Sequence, residues 1–229
     1  MVNFNLLKSP VIALPFLVFL FSHCKFIEEG NEIKEFYIAP NFKDYKIETV
    51  ALLPMAYDDT TNLGTFYSTN YFYNNLAELN SYNLVDIDKI TSSDSSTISD
   101  QLNSIRENFW IDLDSFYVTP LGSFVKAQNC DAIIIGNVFD YRNYYYSDTK
   151  LGMFSSFNIT TAANFNYFMV SLFDGSVLWA ANLDCKATYK LRVSSYFAVL
   201  GYPPLDLAIS NGIEILLDKL KRDFILSKK

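Results

Sequence analysis

The chain has 229 residues, half of them apolar and 17% aromatic, with 16 Tyr, 20 Phe and a formal charge of −7. That length supports one core of ordinary size, and the aromatic content excludes a disordered chain, which would be poor in such rings. The acidic balance excludes nucleic acid as a partner, because phosphate binding needs clustered Lys and Arg. The densest basic group, Lys219, Lys221, Arg222, Lys228 and Lys229, is broken by Asp218 and Asp223 and reads as a solvated helix end.

At the start of the chain, Lys8 precedes an apolar run from Val11 to Phe21, which Ser22, His23 and Cys24 end. The run has the length of a signal-peptide core and is shorter than the roughly 20 apolar residues a membrane-spanning helix needs. Leu20-Phe21-Ser22-His23-Cys24 resembles a relaxed lipobox, the site where lipoprotein signal peptidase cuts before a diacylglyceryl-bearing cysteine. His23 stands where a small residue is usual and Phe21 where Leu is commonest, a looseness similar to spirochaete lipoboxes. The resemblance implies that residues 1–23 are a signal peptide and that Cys24 carries lipid, holding the chain in a bacterial cell envelope, with the outer membrane as the expected site. An ordinary secretory signal with Cys24 incidental is the plainer alternative. Residues 24–45 are then the lipidated cysteine and a tether, because Asn31 to Lys43 is polar and lacks clear periodicity, and residues 46–229 form one domain.

The single histidine, His23, falls in the leader. Without an imidazole the domain has no Ser-His-Asp or Cys-His catalysis and no usual zinc site, and no phosphate loop, nucleophile elbow or dinucleotide fingerprint appears. A non-enzymatic protein is expected, with no metal, cofactor or small-molecule substrate. Cys130 and Cys185 each border or lie within an apolar strand-like run. In an oxidising compartment they either pair or stay as two buried free thiols, and geometry decides between the two.

Ile47 to Met55 reads as a buried strand closed by Pro54. Phe66, Phe72, Tyr73, Leu76 and Leu79 keep helical spacing, and Asn83 to Ile87 is a short strand. Ile98, Leu102, Ile105 and Phe109 form one helix stripe, and a second helix spans Pro120 to Gln128 with Thr119 as its cap. Cys130 to Phe139 has the composition of a central strand, in which Gly136 suggests a bulge or a close backbone approach. Ile159 to Phe173 and Val177 to Tyr189 flank Asp174-Gly175-Ser176, a hairpin signal. After Pro203-Pro204, the residues Leu205, Ala208, Ile209, Gly212, Ile213, Leu216, Leu220 and Phe224 mark one face of a helix. The order is βαβααβββα, an α/β fold in which helices flank a mixed β-sheet.

Two acidic pairs stand out. Asp58 and Asp59 follow the first strand, and Asp112 and Asp114 form the second pair; cation binding or acid–base chemistry is one reading, and turn and capping roles are the more ordinary one. Tyr141, Tyr144, Tyr145 and Tyr146, with Met153, Phe154 and Phe157 beyond them, form an aromatic-rich hairpin. Its rings, Phe154 included, are candidate anchors for a protein partner, and the alternative is that alternate residues pack on the domain's own helices. Tyr196, Phe197 and Tyr202 raise the same question.

Val50-Ala51-Leu52-Leu53-Pro54, the run Cys130 to Val138, and Leu172-Phe173-Asp174-Gly175-Ser176-Val177-Leu178-Trp179 together resemble envelope lipoproteins of the CsgG-like family of curli secretion, a domain shared with the TolB N-terminal region and penicillin-binding-protein activator lipoproteins. The resemblance spans roughly Lys46 to Lys221. It implies a domain acting through contacts with another envelope protein or with itself, and no catalytic residues. In the curli protein, hairpins inserted in this domain build a pore, so the alternative function is a subunit of an oligomeric secretion channel. Asp140, Arg142, Asn143 and Asp148 interrupt the apolar alternation that a membrane-crossing strand needs.

Overall fold

The computed structural model describes residues 25–27, 30–57, 65–79, 82–85, 95–148, 155–193 and 202–225. Eight strands join one sheet: β1 (Lys25–Ile27), β2 (Glu32–Ile38), β3 (Thr49–Leu52), β4 (Ala56–Tyr57), β5 (Asn83–Val85), β6 (Ala132–Asp148), β7 (Ser155–Ser171) and β8 (Val177–Val193). The helices are α1 (Thr65–Glu78), α2 (Ser95–Asn108), α3 (Leu113–Tyr117), α4 (Pro120–Ala127) and α5 (Leu205–Ile225). The sheet runs β1-β8-β7-β6-β3-β5, with β2 also on β8 and β4 also on β6. β3 is parallel to β5 and β6, and the β6–β7–β8 ribbon is antiparallel, so the sheet is mixed as the element order predicts.

Helices cover both faces. On one, Phe72 and Leu76 of α1 and Ala208, Ile209, Ile213, Leu216 and Leu220 of α5 meet Ile134, Phe165, Leu183 and Cys185 of the sheet. On the other, Ile98, Leu102 and Ile105 of α2, Phe116 of α3 and Leu121 and Val125 of α4 meet Ile133, Ile135 and Val170. Each fully buried Leu or Ile contributes about 1.5–3 kcal/mol, so these two layers carry the fold. Thr119 caps α4 as its sequence predicts, accepting from the Gly122 amide at 3.0 Å with Pro120 next in the first turn. Phe109 departs from the expected stripe. The helix ends at Asn108, and Phe109, at φ 57°, swings off the buried face to meet the edge of Tyr37, ring centroids 4.7 Å apart.

Gly175 takes the expected positive φ, 77°, in the β7–β8 turn. Gly136 is a point of close approach, because a Cβ there would lie 2.5 Å from the Tyr167 ring. The bulge of β6 falls further along, between Val138 and Asp140.

Two expectations need correction. Residues 31–43 are not a plain tether, since β2 pairs with β8 from Glu32↔Asp184 to Ile38↔Trp179, and Ile33, Phe36 and Ile38 pack on the α5-side core. A register shift between Ile33 and Glu35 breaks the period-2 alternation that would have revealed this strand. The three-residue β1 also pairs with β8. A Cys130–Cys185 disulfide is ruled out, for both thiols are free. Cys185 packs in the α5-side core and Cys130 against the opposite one. Cys185 pairs with Ala163, eight residues or about 27 Å along β7 from Ser171, which pairs with Ala132 near Cys130.

Candidate functional site

β6, β7 and β8 each run for 17 residues, about three times an ordinary strand. β3 and β4 pair with β6 only as far as Val138, so among the described residues the outer part of β6 has a ladder with β7 alone. This outer ribbon carries the predicted tyrosines. Tyr141 and Tyr144 are 43% exposed, Tyr145 71% and Tyr146 62%. None of the four is buried in the domain's core.

Strand register sorts them by face. Tyr141 pairs with Ala163 of the α5-side core, so Tyr141, Asn143 and Tyr145 share that face, and Tyr144 and Tyr146 stand on the other. On the α5 side, cover ends at the row Asn143–Thr161–Ala187. There Thr161 Oγ1 lies 2.8 Å from Asn143 Oδ1 and 2.5 Å from the Pro203 carbonyl just ahead of α5. Asn143 Nδ2 in turn donates to the Tyr141 hydroxyl at 2.7 Å. The next row outward, Tyr145–Ile159–Tyr189, is only partly covered.

The opposite face is polar. Rows Asn137–Asn166–Asn182, Asp140–Asn164–Asp184 and Arg142–Ala162–Lys186 cross all three strands. Asp140 accepts from Arg142 Nε at 2.9 Å, and this guanidinium holds its carboxyl below the usual range, against a smaller opposing effect of burial. Composition alone does not reveal these rows, because they exist only once three strands are in register.

Cys24, Phe154, Asp58, Asp59, Met153, Tyr196 and Phe197 lie outside the described residues. Asp112 caps α3, accepting from Ser115 Oγ at 2.5 Å and from the Asp114 amide at 3.2 Å. At the far end of the sheet a groove of about 560 Å³ is lined by residues including Tyr45, Lys46, Cys130, Asp131, Phe173 and Asp174. Two of its three carboxylates are engaged, Asp131 by the Glu48 and Thr49 amides and Asp174 by Tyr45 and Ser176, and the third is Asp44. Among the described residues no group of three or more His, Cys, Asp or Glu side chains is placed to hold a metal ion, and no helix is long and apolar enough to cross a membrane.

The fold and this surface define a mixed α/β protein with an exposed, tyrosine-bearing ribbon. No protein-family model matches the chain, and no curated protein matches it in sequence. Among solved structures it is similar to a PelC dodecamer from Paraburkholderia phytofirmans, at 12% identity over 84% of this chain and 95% of that one, TM-score 0.39. It is also similar to lipoprotein GNA1162 from Neisseria meningitidis, at 11% over 78% and 98%, TM-score 0.33. A third is the LpoB C-terminal domain from Salmonella enterica, at 11% over 60% and 82%, TM-score 0.32. Likeness at TM-scores below 0.5 establishes neither a shared fold nor a shared activity.

Proposed function

We propose that the chain is a non-enzymatic envelope lipoprotein, anchored through lipid on Cys24, that acts by protein contact along the outer part of β6. The observation that carries this reading is the exposure of Tyr144, Tyr145 and Tyr146 on a strand segment that β3 and β4 do not reach. A strand edge bearing rigid amphipathic rings suits addition of a partner's strand, with ladder hydrogen bonds for affinity and rings for specificity. The partner is another envelope protein or a second copy of the chain. Crosslinking in intact cells, followed by capture of wild type and a Tyr144→Ala/Tyr146→Ala variant, tests it. Capture should fall at least tenfold in the variant, and an unchanged set of crosslinked partners overturns the contact surface.

The second reading is a subunit of an oligomeric secretion channel. The length of β6, β7 and β8, 17 residues each, favours it, since a membrane-crossing strand takes about 9–11. Ring-shaped particles in detergent that conduct ions across planar bilayers would establish it, and a monomer that leaves bilayers silent would remove it.

A further inference from the structure

We infer that the outer end of the β6–β7–β8 ribbon rests against an anionic membrane surface, with Tyr145 and its row at the headgroups and the helix-covered core held away from them. The inference rests on the reading that Cys24 carries lipid, and it adds which end of the molecule meets the membrane.

Three observations converge. The first is where the anchor enters the fold. β1 begins at Lys25, one residue after Cys24, and its register is Lys25↔Lys190, Phe26↔Tyr189 and Ile27↔Thr188. Consecutive Cα atoms are about 3.8 Å apart, so a lipid on Cys24 has almost no slack and brings these rows to the bilayer. Phe26, Tyr189, Ile159 and Tyr145 occupy one register row across four strands, which at about 4.8 Å per strand puts the Tyr145 backbone roughly 15 Å from that of Phe26.

The second is charge. From the row Tyr141–Ala163–Cys185 outward, the strands of the ribbon and β1 hold five basic residues, Lys25, Arg142, Lys186, Lys190 and Arg192, against one acid, Asp148. Leaving aside Arg142, which is paired with Asp140 one row inward, these strands carry four basic residues to one acid in a chain of formal charge −7, a balance that favours anionic headgroups at this end over the remainder of the molecule. Each basic residue at such a surface is worth about fivefold in binding. The third is the rings, since tyrosines with half-exposed faces suit the boundary between acyl chains and headgroups. The mixed polar face, with Asp140 and Arg142 paired, fits a surface contact rather than a crossing.

The test uses the full chain purified from its native envelope and inserted into vesicles of phosphatidylcholine and phosphatidylglycerol that contain lipids brominated at shallow or deep positions. Three forms are compared, namely wild type, Tyr145→Trp and Phe173→Trp, both substitutions being at exposed sites. The native tryptophans are suitable background, because Trp179 is buried and Trp110 donates to the Asp174 carbonyl at the opposite end of the sheet. Ile159 and Ser171 are 12 residues apart on β7, so the two reporter sites are separated by about 40 Å. Intact mass of the same sample reports lipid on Cys24. The expected result is at least twofold quenching of the added emission of Tyr145→Trp by shallow bromines, and a change below about a tenth in wild type and Phe173→Trp. With lipid present, equal quenching at both sites, none at position 145, or stronger quenching by deep bromines overturns the surface contact while leaving the anchor standing. An unlipidated Cys24 removes the anchor and this inference with it.

Discussion

The Tyr45 hydroxyl donates to Asp174 Oδ2 at 2.6 Å, joining the segment ahead of β3 to the β7–β8 turn across 129 residues of chain. Ser176 supplies two further donors to the same carboxylate, its Oγ at 2.7 Å and its amide at 3.1 Å. Partial burial pushes the Asp174 carboxyl up, but the bonds from Tyr45 and Ser176 together hold it below its ordinary value of 3.8. A carboxyl lowered in the folded state contributes stability that is complete above the unfolded value and lost as pH falls through the folded one. Tyr45→Phe should therefore cost about 0.5–1 kcal/mol at pH 7, a solvent-screened hydrogen bond, and progressively less below pH 3.8. Urea denaturation at pH 7 and pH 3 measures both. A cost that grows on acidification contradicts the assignment of the bond to the ionised carboxylate.

The free thiols make a second prediction. Burial, with Asp131 alongside, pushes Cys130 up to about 11, and burial foremost, with Asp184 contributing, pushes Cys185 up to about 12. Only thiolates alkylate, so at pH 8 Cys130 should react with iodoacetamide about a hundredfold more slowly than an ordinary thiol of pKa about 8.5, and Cys185 more slowly still. Peptide mapping of the native chain after timed alkylation checks this. Non-reducing and reduced samples of the domain should have the same mobility, and a reducible internal crosslink would mean the register of β7 and β8 is wrong.

Tyr167 and Gly136 make a third, with opposite signs. Tyr167 is fully buried, its ring meets Phe72 with centroids 4.7 Å apart, and among the described residues its hydroxyl has no hydrogen-bond partner. Tyr167→Phe keeps the ring and removes a desolvated polar group, and should stabilise the fold by about 1 kcal/mol. Gly136→Ala drives a methyl into the same ring and should destabilise by about 1–3 kcal/mol. If thermal unfolding shows Tyr167→Phe to be the destabilising change, the hydroxyl has a partner.

These residues also show what the amino-acid order makes legible. α5 and α4 could be read because an apolar stripe and a Thr119-Pro120 start are local signals, and the β7–β8 turn because Gly175 supplies a conformation few residues adopt. β2 could not, because its bulge breaks the alternation at Glu35 and the strand it pairs with, β8, lies some 145 residues away. The tyrosines of β6 were visible as a cluster, but whether they are core or surface depends on where α5 stops covering the ribbon, a tertiary fact set at Thr161 and Pro203. The basic outer end was invisible for a similar reason, since Lys25, Arg142 and Lys186 are far apart in the chain and meet only through strand register.

The inclusion of β2 in the sheet makes the last prediction, on where the folded domain begins. A chain starting at residue 30 keeps β2 and should melt within a few degrees of the full-length mature protein. A chain starting at residue 46 loses Ile33, Phe36, Ile38, Phe42 and Tyr45 from the α5-side core, together with the contact of the Lys219 ammonium, 5.1 Å from the Phe36 ring centroid. At about 1–2 kcal/mol for each partly buried apolar side chain, the loss is on the order of 5–10 kcal/mol, which for a domain of this size lowers Tm by roughly 15–30 °C. It also bares the edge of β8 along Trp179–Asp184, so concentration-dependent aggregation should accompany the lower Tm. Circular dichroism melts of the two truncated chains at two concentrations decide the matter. Equal melting temperatures would return residues 31–43 to the role of a tether, whereas the expected gap makes β2 part of the domain and shortens the link between Cys24 and β2 to the seven residues 25–31.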